Sequence, residues 1–473
     1  MRRRTAARLK LNRFNANSLE EILVNDKSLE MLEFPRVREI LAGYTSFAIS
    51  REMALALTPS NDADRINYWL KQSAEARHLL SIEPDLSIGG VYDIRGPVIL
   101  AARGKTLELQ TLLDIQRTLT SVRFLHNKLG RLANEAPSLS GISGQITLHP
   151  QLEKEIERCI SPGAELLDSA SDKLAELRRL LREKRQQILN RLDSVIKSHE
   201  AERLVQEPII TERDGRYVIP VKVELRRELK GIVHDISNTG ATAFVEPMVT
   251  VDLGNELREA IIEEQHEVER VLGSLSAGVG AEETAINQNL NLVAEIDLAL
   301  AKARFAERYR AVEPLICGTK GEDGSEARFL RLINARHPLL KVKPVPLTVE
   351  IGKDYQGLVI TGPNTGGKTV ALKTIGLLAA MAQAGMPIPA AHESCIPVFD
   401  NIYSDIGDEQ SIEQTLSTFS WHMGNIVRIL KESSDKSLVL LDELGTSTDP
   451  SEGAALAQSI LLGFLDCGTM VVA

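Results

Sequence analysis

Eight consecutive residues carry the most specific chemistry in this sequence: Gly362, Pro363, Asn364, Thr365, Gly366, Gly367, Lys368 and Thr369. They satisfy the pattern G-x-x-x-x-G-K-[ST]. An apolar strand-like run, Leu358 to Thr361, precedes them, and an apolar helical run begins at Val370. The glycines let successive backbone N–H groups curl around an anion, and the helix start adds the positive end of its dipole. Lys368 would neutralise the β- and γ-phosphates of a nucleotide, and the Thr369 hydroxyl would ligate Mg²⁺. ATP and Mg²⁺ are therefore the expected ligands.

Two further segments complete a hydrolytic site. Leu438 to Leu441 reads as a buried strand ending in Asp442-Glu443. Asp442 would hold Mg²⁺ through water, and Glu443 would orient or deprotonate the attacking water. The second acid points to hydrolysis, whereas a kinase would bind an acceptor. The third segment is Leu416-Ser417-Thr418-Phe419, which opens a helix through Trp421, His422 and Met423. Ser417 suits a helix N-cap and needs no further role on that reading. On the functional reading Ser417 and Thr418 face the γ-phosphate bound by a second subunit, as the signature of ABC-type ATPases does. Asp449-Pro450 would then lie at the dimer interface.

The elements that must position these residues fall into two styles. From about residue 28 to 162 apolar residues recur at helical spacing, as in Leu29, Leu32, Val37, Ile40 and Leu41. A long charged lever helix is predicted over 163–206. Leu167, Leu174, Leu181, Ile188 and Val195 fall seven apart and make one clean seam. The companion seam is poor, because Lys184 and Arg191 interrupt it, so one stripe should pack on a single partner, and Leu253 to Leu275 is the candidate. Residues 207–250 are rich in Val, Ile and Thr, with turn signals at Asp214-Gly215 and Asn238-Thr239-Gly240, and read as a small β insertion. Returning helices follow over 251–316, then a Gly-rich linker. From 326 to 473 strand and helix alternate as in an α/β layer architecture.

Composition sets outer limits. The chain has 473 residues, enough for several domains, with 43% hydrophobic and 25% charged residues, the proportions of a globular protein. No apolar run reaches the roughly 18 residues of a membrane span, and no membrane partner is expected. Net charge is −10, so contact with nucleic acid must come from local basic patches. Arg178, Arg179, Arg182, Lys184, Arg185 and Arg191 form one such patch on the lever helix, able to track phosphates or simply to be a solvated face. Arg2, Arg3, Arg4, Arg8, Lys10 and Arg13 form another, within residues 1–27, read as a disordered basic tail. Cys159, Cys317, Cys395 and Cys467 make no CxxC pair and read as reduced thiols of a cytoplasmic protein.

Taken together, GPNTGGKT, the run DIGDEQSIEQTLSTFSWHM from Asp405 to Met423, LLDELGTSTDP from Leu440 to Pro450, and ARHPLL from Ala335 to Leu340 resemble a MutS-type ATPase. Within that group Thr365, the DEQS run, GRYVIPVKVE from Gly215 to Glu224, GIVHDISNTGATAFVEP from Gly231 to Pro247, and LEFPRVREILAGY resemble the bacterial MutS-Two subfamily. The resemblance covers the chain from about Ser28 onward. It implies a multidomain fold, α with α/β: helical core, lever-helix coiled coil, clamp-like β insertion and ABC-type P-loop ATPase domain. It also implies a homodimer. Phe244-Val245-Glu246 is similar to the Phe-x-Glu reader of repair MutS, though an ordinary strand phenylalanine is the plainer reading. In the family a γ-phosphate-sensing His loop, a coiled coil and a C-terminal Smr nuclease domain would follow Ala473, so the chain reads as truncated, with endonuclease activity residing elsewhere. Three functions remain open: an ATP-gated clamp on branched DNA that suppresses homologous recombination, a ribosome-splitting rescue factor contacting rRNA, and a non-catalytic scaffold.

Overall fold

The structure is a computed structural model and describes residues 26–199, 201–317, 328–340, 344–363, 366–406, 418–445 and 449–473. Asn364, Thr365, Ser417, the DEQS run and the basic tail lie outside the described residues.

In chain order the N-terminal part is helical: α1 (Asp26–Met31), α2 (Phe34–Ala42), α3 (Ala48–Leu55), α4 (Ala63–Ile82), α5 (Arg95–Ala102), α6 (Leu109–Arg131), α7 (Pro137–Ser143), α8 (Pro150–Cys159), α9 (Asp172–Ile196) and α10 (Ala201–Leu204). Four strands follow, β1 (Thr211–Arg213), β2 (Arg216–Lys222), β3 (Gly231–Ile236) and β4 (Thr242–Pro247), and then the long helices α11 (Met248–Ala281) and α12 (Glu283–Tyr309). The remainder alternates: β5 (Leu315–Cys317), β6 (Leu330–Ala335), β7 (Leu347–Ile351), β8 (Gly357–Leu358), α13 (Lys368–Gln383), β9 (Cys395–Pro397), β10 (Asn401–Asp405), α14 (Thr418–Glu432), β11 (Ser437–Leu441), α15 (Pro450–Asp466) and β12 (Met470–Val472). None of the described helices is long and apolar enough to cross a membrane.

The chain divides into two compact units. The first comprises 1–89, 124–146 and 288–473, and its heart is a parallel sheet in the order β10-β11-β12-β8. Ser437 to Leu441 are all buried, as expected of a parallel strand covered on both faces. Helix α13 is buried along almost its whole length. It packs in one apolar cluster with Leu438 and Leu440 of β11, with Leu29 and Leu32 around α1, and with Phe34, Val37 and Leu41 of α2. The N-terminal helices are therefore part of the core around α13. Ser28 Oγ accepts the Ser404 N–H at 3.1 Å, and Lys373 Nζ donates to Glu33 Oε1 at 3.0 Å. Burial works against the Glu33 charge, but the Lys373 and Arg36 hydrogen bonds hold its carboxyl below the usual range. A second sheet, β5-β9-β6-β7, stands beside this layer. There Cys317 and Cys395 are brought close together, with Cα atoms 6.0 Å apart. Cys159 is buried and Cys467 is exposed. Parallel pairing of β5 with β9 brings together cysteines 78 residues apart, a proximity no local spacing encodes.

The second unit comprises 90–123 and 147–287. Its long helix begins at Asp172, not at Gly163, because Ser171 caps it: the Ser171 hydroxyl accepts the Leu174 N–H at 3.0 Å. Leu174, Leu181 and Ile188 of the heptad seam are buried, whereas Leu167 precedes the helix and is 37% exposed. The α9 seam packs on α11. Ser171 bonds Glu267, Arg178 bonds Glu264, Lys184 bonds Glu256, and Arg191 bonds the Val249 carbonyl. Partner numbers fall as α9 numbers rise, so the helices run antiparallel. Lys184 and Arg191, the two breaks in the companion seam, still face α11 but reach it with polar heads. The β insertion is an antiparallel sheet in the order β1-β2-β4-β3. Asp214 and Gly215, at φ 49° and 74°, make its first turn. Successive left-handed residues are what a two-residue hairpin demands. Phe244 lies under the Arg213 guanidinium, 4.4 Å from ring centre to charge. Glu246 is buried and bonded to His234 Nε2 at 2.7 Å and Arg216 Nη1 at 3.4 Å. The Phe-x-Glu lookalike is thus committed to the module's own packing.

Candidate nucleotide site

Strand β8 ends at Leu358, and the chain then enters the glycine loop. Gly362 has φ 153° and Gly367 has φ 82°, the latter in the left-handed region that an ordinary residue avoids. Gly367 is the residue immediately before α13. Lys368 and Thr369 therefore form the first turn, where a helix supplies no acceptor of its own for the backbone N–H groups. Gly366 N–H donates to the Pro363 carbonyl at 2.8 Å. Lys368 Nζ donates to Gly362 O at 2.8 Å and so stands over the loop's opening.

Across from this helix start, β11 delivers the acids. Thr369 Oγ1 donates to Asp442 Oδ2 at 2.6 Å. One hydroxyl and one carboxylate oxygen thus converge, the hard-oxygen chemistry a Mg²⁺ ion takes. Glu443, next in sequence, is exposed and has φ 54°, an uncommon left-handed conformation for a non-glycine residue. It breaks the strand geometry directly after Asp442. Asp449 caps α15, its carboxylate accepting the Ser451 N–H at 3.0 Å. The Ser451 hydroxyl and the backbone N–H groups hold that carboxyl below its usual range.

Of the expected residues, then, Gly362, Pro363, Gly366, Gly367, Lys368, Thr369, Asp442 and Glu443 stand around the C-terminal ends of β8 and β11. Thr418 opens α14, and its side chain lies outside the described residues, as does Ser417. Sequence reasoning missed Asp405, the last residue of β10. Its carboxylate is 3% exposed and takes the His422 Nδ1–H at 3.0 Å and an Asn425 Nδ2–H at 2.8 Å, both from α14. The signal was available: Ile402-Tyr403-Ser404-Asp405 is an apolar strand ending in an acid, like Leu438 to Asp442. His337 of the ARHPLL run was also left without a role. It is buried, its Nδ1 accepts the Leu339 N–H at 3.3 Å, and burial pushes its imidazole below the ordinary range.

The arginine stripe lies in the other unit and is partly spent. Arg178 is held by Glu264 and Asp168, Lys184 by Glu256, and Arg191 by a carbonyl. Arg179 has Glu183 at 3.8 Å and Arg182 has Asp168 at 3.5 Å, both arginine side chains more than half exposed. Arg185 is exposed.

Residues 358–471 match the family described as MutS domain V, which spans both halves of this site. Over 450 residues the chain is 43% identical to the endonuclease MutS2 of Pelotomaculum thermopropionicum, covering 95% of this chain and 56% of that protein. The endonuclease MutS2 of Geobacillus thermodenitrificans is 44% identical over 449 residues, 93% of this chain and 55% of the relative. That of Alkaliphilus oremlandii is 40% identical over 453 residues, 95% and 56% respectively. The chain belongs to the MutS2 family. It spans little more than half the length of the curated relatives it matches. Those relatives are named as endonucleases. In this MutS2-family chain the similarity runs through α9 and strands β1 to β4 as well as the candidate site, since 95% of the chain is covered.

Proposed function

We propose that this chain is the ATP-hydrolysing part of a homodimeric MutS2-type clamp that acts on DNA. The Thr369–Asp442 hydrogen bond carries the reading, because it brings the first turn of α13 and the acidic end of β11 to one point. When bound, Mg²⁺ would supply charge neutralisation for the β- and γ-phosphates. Thr369 and Asp442 would hold that ion. The loop's N–H groups and Lys368 would bind and orient the phosphates. Glu443 would hold the attacking water and take its proton. Ser417 and Thr418 of a partner subunit would close over the γ-phosphate, which makes closure depend on nucleotide. The arginines of α9 would meet the phosphates of branched or recombination-intermediate DNA, so that closure restrains recombination. Any nuclease step would belong to other residues.

The test has three arms. Lys368→Ala should abolish binding of a fluorescent ATP analogue. Glu443→Gln should keep binding and lower turnover by about 10²-fold or more. Co-sedimentation at physiological salt with branched DNA and with ribosomes then separates the targets. Retention on ribosomes alone would overturn the DNA part, and failure of the unaltered protein to bind ATP would leave a non-catalytic scaffold.

A further inference from the structure

We propose that Asp405 is a positioning residue that grips helix α14 by two side chains and ties its placement to the acidic end of β11. This rests on the nucleotide-dependent function proposed above.

Asp405 ends β10 and is paired in register with Leu441, the last residue of β11. Its backbone carbonyl accepts the Asp442 N–H at 3.0 Å. Its side chain serves the other neighbour: Oδ2 takes the His422 Nδ1–H at 3.0 Å, and Oδ1 takes the Asn425 amide at 2.8 Å. One residue therefore touches both the strand that carries Asp442 and Glu443 and the helix that begins at Thr418. His422 and Asn425 are three apart, hence on one face of the helix. A single bond would leave α14 free to rotate about its axis, whereas two bonds to the two oxygens of one carboxylate fix both rotation and register. Asn425 is itself oriented, its Oδ1 accepting from Arg428 Nη2 at 2.9 Å. A carboxylate 3% exposed is costly to bury, and these partners are what offset that cost. Loss of one leaves a buried acceptor unsatisfied. A shift of a few tenths of an ångström at Asp442 would thus reach α14 through a chain of short, directional bonds rather than through deformable packing.

The double variant His422→Ala, Asn425→Ala releases the grip from the helix side and leaves β10 intact. In the MutS2-type protein, ATP affinity and KM should stay within about twofold, while kcat falls at least tenfold and ATP-dependent dimerisation, followed by light scattering, weakens in parallel. Such a split is not expected of a merely structural loss, which would lower binding and turnover together. His422→Gln restores a donor toward Asp405 and should recover at least half of kcat when combined with intact Asn425. Wild-type kcat and dimerisation in the double variant would overturn the proposal, as would failure of His422→Gln to exceed His422→Ala. If the unaltered protein binds no ATP, the function proposed above falls and takes this inference with it, an outcome distinct from both.

Discussion

The Thr369 hydroxyl and the Asp442 carboxylate stand 2.6 Å apart, one on the first turn of α13 and the other at the end of β11. Everything proposed for the nucleotide site depends on these two elements keeping that separation. Asp442→Asn keeps the shape but removes the charge. We expect the Mg²⁺ concentration for half-maximal turnover to rise about 10–100-fold, the usual cost of losing an outer ligand partner. Nucleotide binding measured without Mg²⁺ should be unchanged. An unaltered Mg²⁺ titration would remove Asp442 from the metal's surroundings.

The same separation is set from below by a glycine. A Cβ on Gly376 of α13 would come within 2.3 Å of Leu440 Cδ1 and 2.7 Å of Leu32 Cδ2. The helix can lie that close to β11 and to the turn after α1 only without a side chain there. Gly376→Ala should therefore destabilise by about 1–3 kcal/mol through overpacking. Gly424 on α14 has open space around its Cα, so Gly424→Ala should be neutral or stabilise by about 0.5–1 kcal/mol. Chemical denaturation of the two variants compares them directly, and equal effects would contradict the packing argument.

Much of this was legible beforehand, for identifiable reasons. The glycine loop and Asp442-Glu443 could be singled out as candidates because nucleotide chemistry would need fixed residue types at fixed positions along adjacent elements, and the structure brings Thr369 to Asp442. The hairpin at Asp214-Gly215 was readable because only certain residues adopt its backbone. The start of α9 was misjudged by nine residues, since Leu167 keeps the heptad rhythm while Ser171 supplies the cap, and the cap decided. Asp405 escaped because its partners, His422 and Asn425, lie in a helix whose facing side the sequence does not announce. The nearness of Cys317 and Cys395 escaped for a similar reason: parallel strands bring together residues 78 apart. Pairings between elements distant in sequence are the part that periodicity and spacing leave open.

The arginine stripe should split into two classes. Arg179, Arg182 and Arg185 are exposed, and the surface ion pairs of the first two are weak. Arg178 is tied to Asp168 and Glu264 and joins α9 to α11. Replacing Arg179, Arg182 and Arg185 with Gln should weaken DNA binding. The slope of log affinity against log salt should fall by about 0.9 for each phosphate no longer neutralised, up to ~2.7 for the three. Arg178→Gln should instead lower thermal stability with a smaller change in slope. A slope unaffected by the triple substitution would make the stripe an ordinary solvated helix face.

Lys302 links the far end of α13 to the helical layer and gives the fold a pH dependence. It is fully buried on α12, its Nζ donating to the Ala384 carbonyl at 3.2 Å, with the Trp69 ring 5.5 Å away. Burial pulls its ammonium down to about 7 from an ordinary 10.5, with nearby Glu295 opposing the shift. Here the folded state binds the proton less tightly than the unfolded state. Below about pH 7 both states are protonated and this group adds no slope. From there up to about 10.5 the unfolded chain carries more protons, so stability rises with pH, by at most about 1.4 kcal/mol per pH unit. Lys302→Met removes the titrating group at similar length. The stability of the wild type relative to this variant should climb between pH 7 and pH 9.5 and be flat between pH 5.5 and 6.5. A difference constant across the whole range would mean that the ammonium stays charged inside the fold, held by the Ala384 carbonyl at the end of α13.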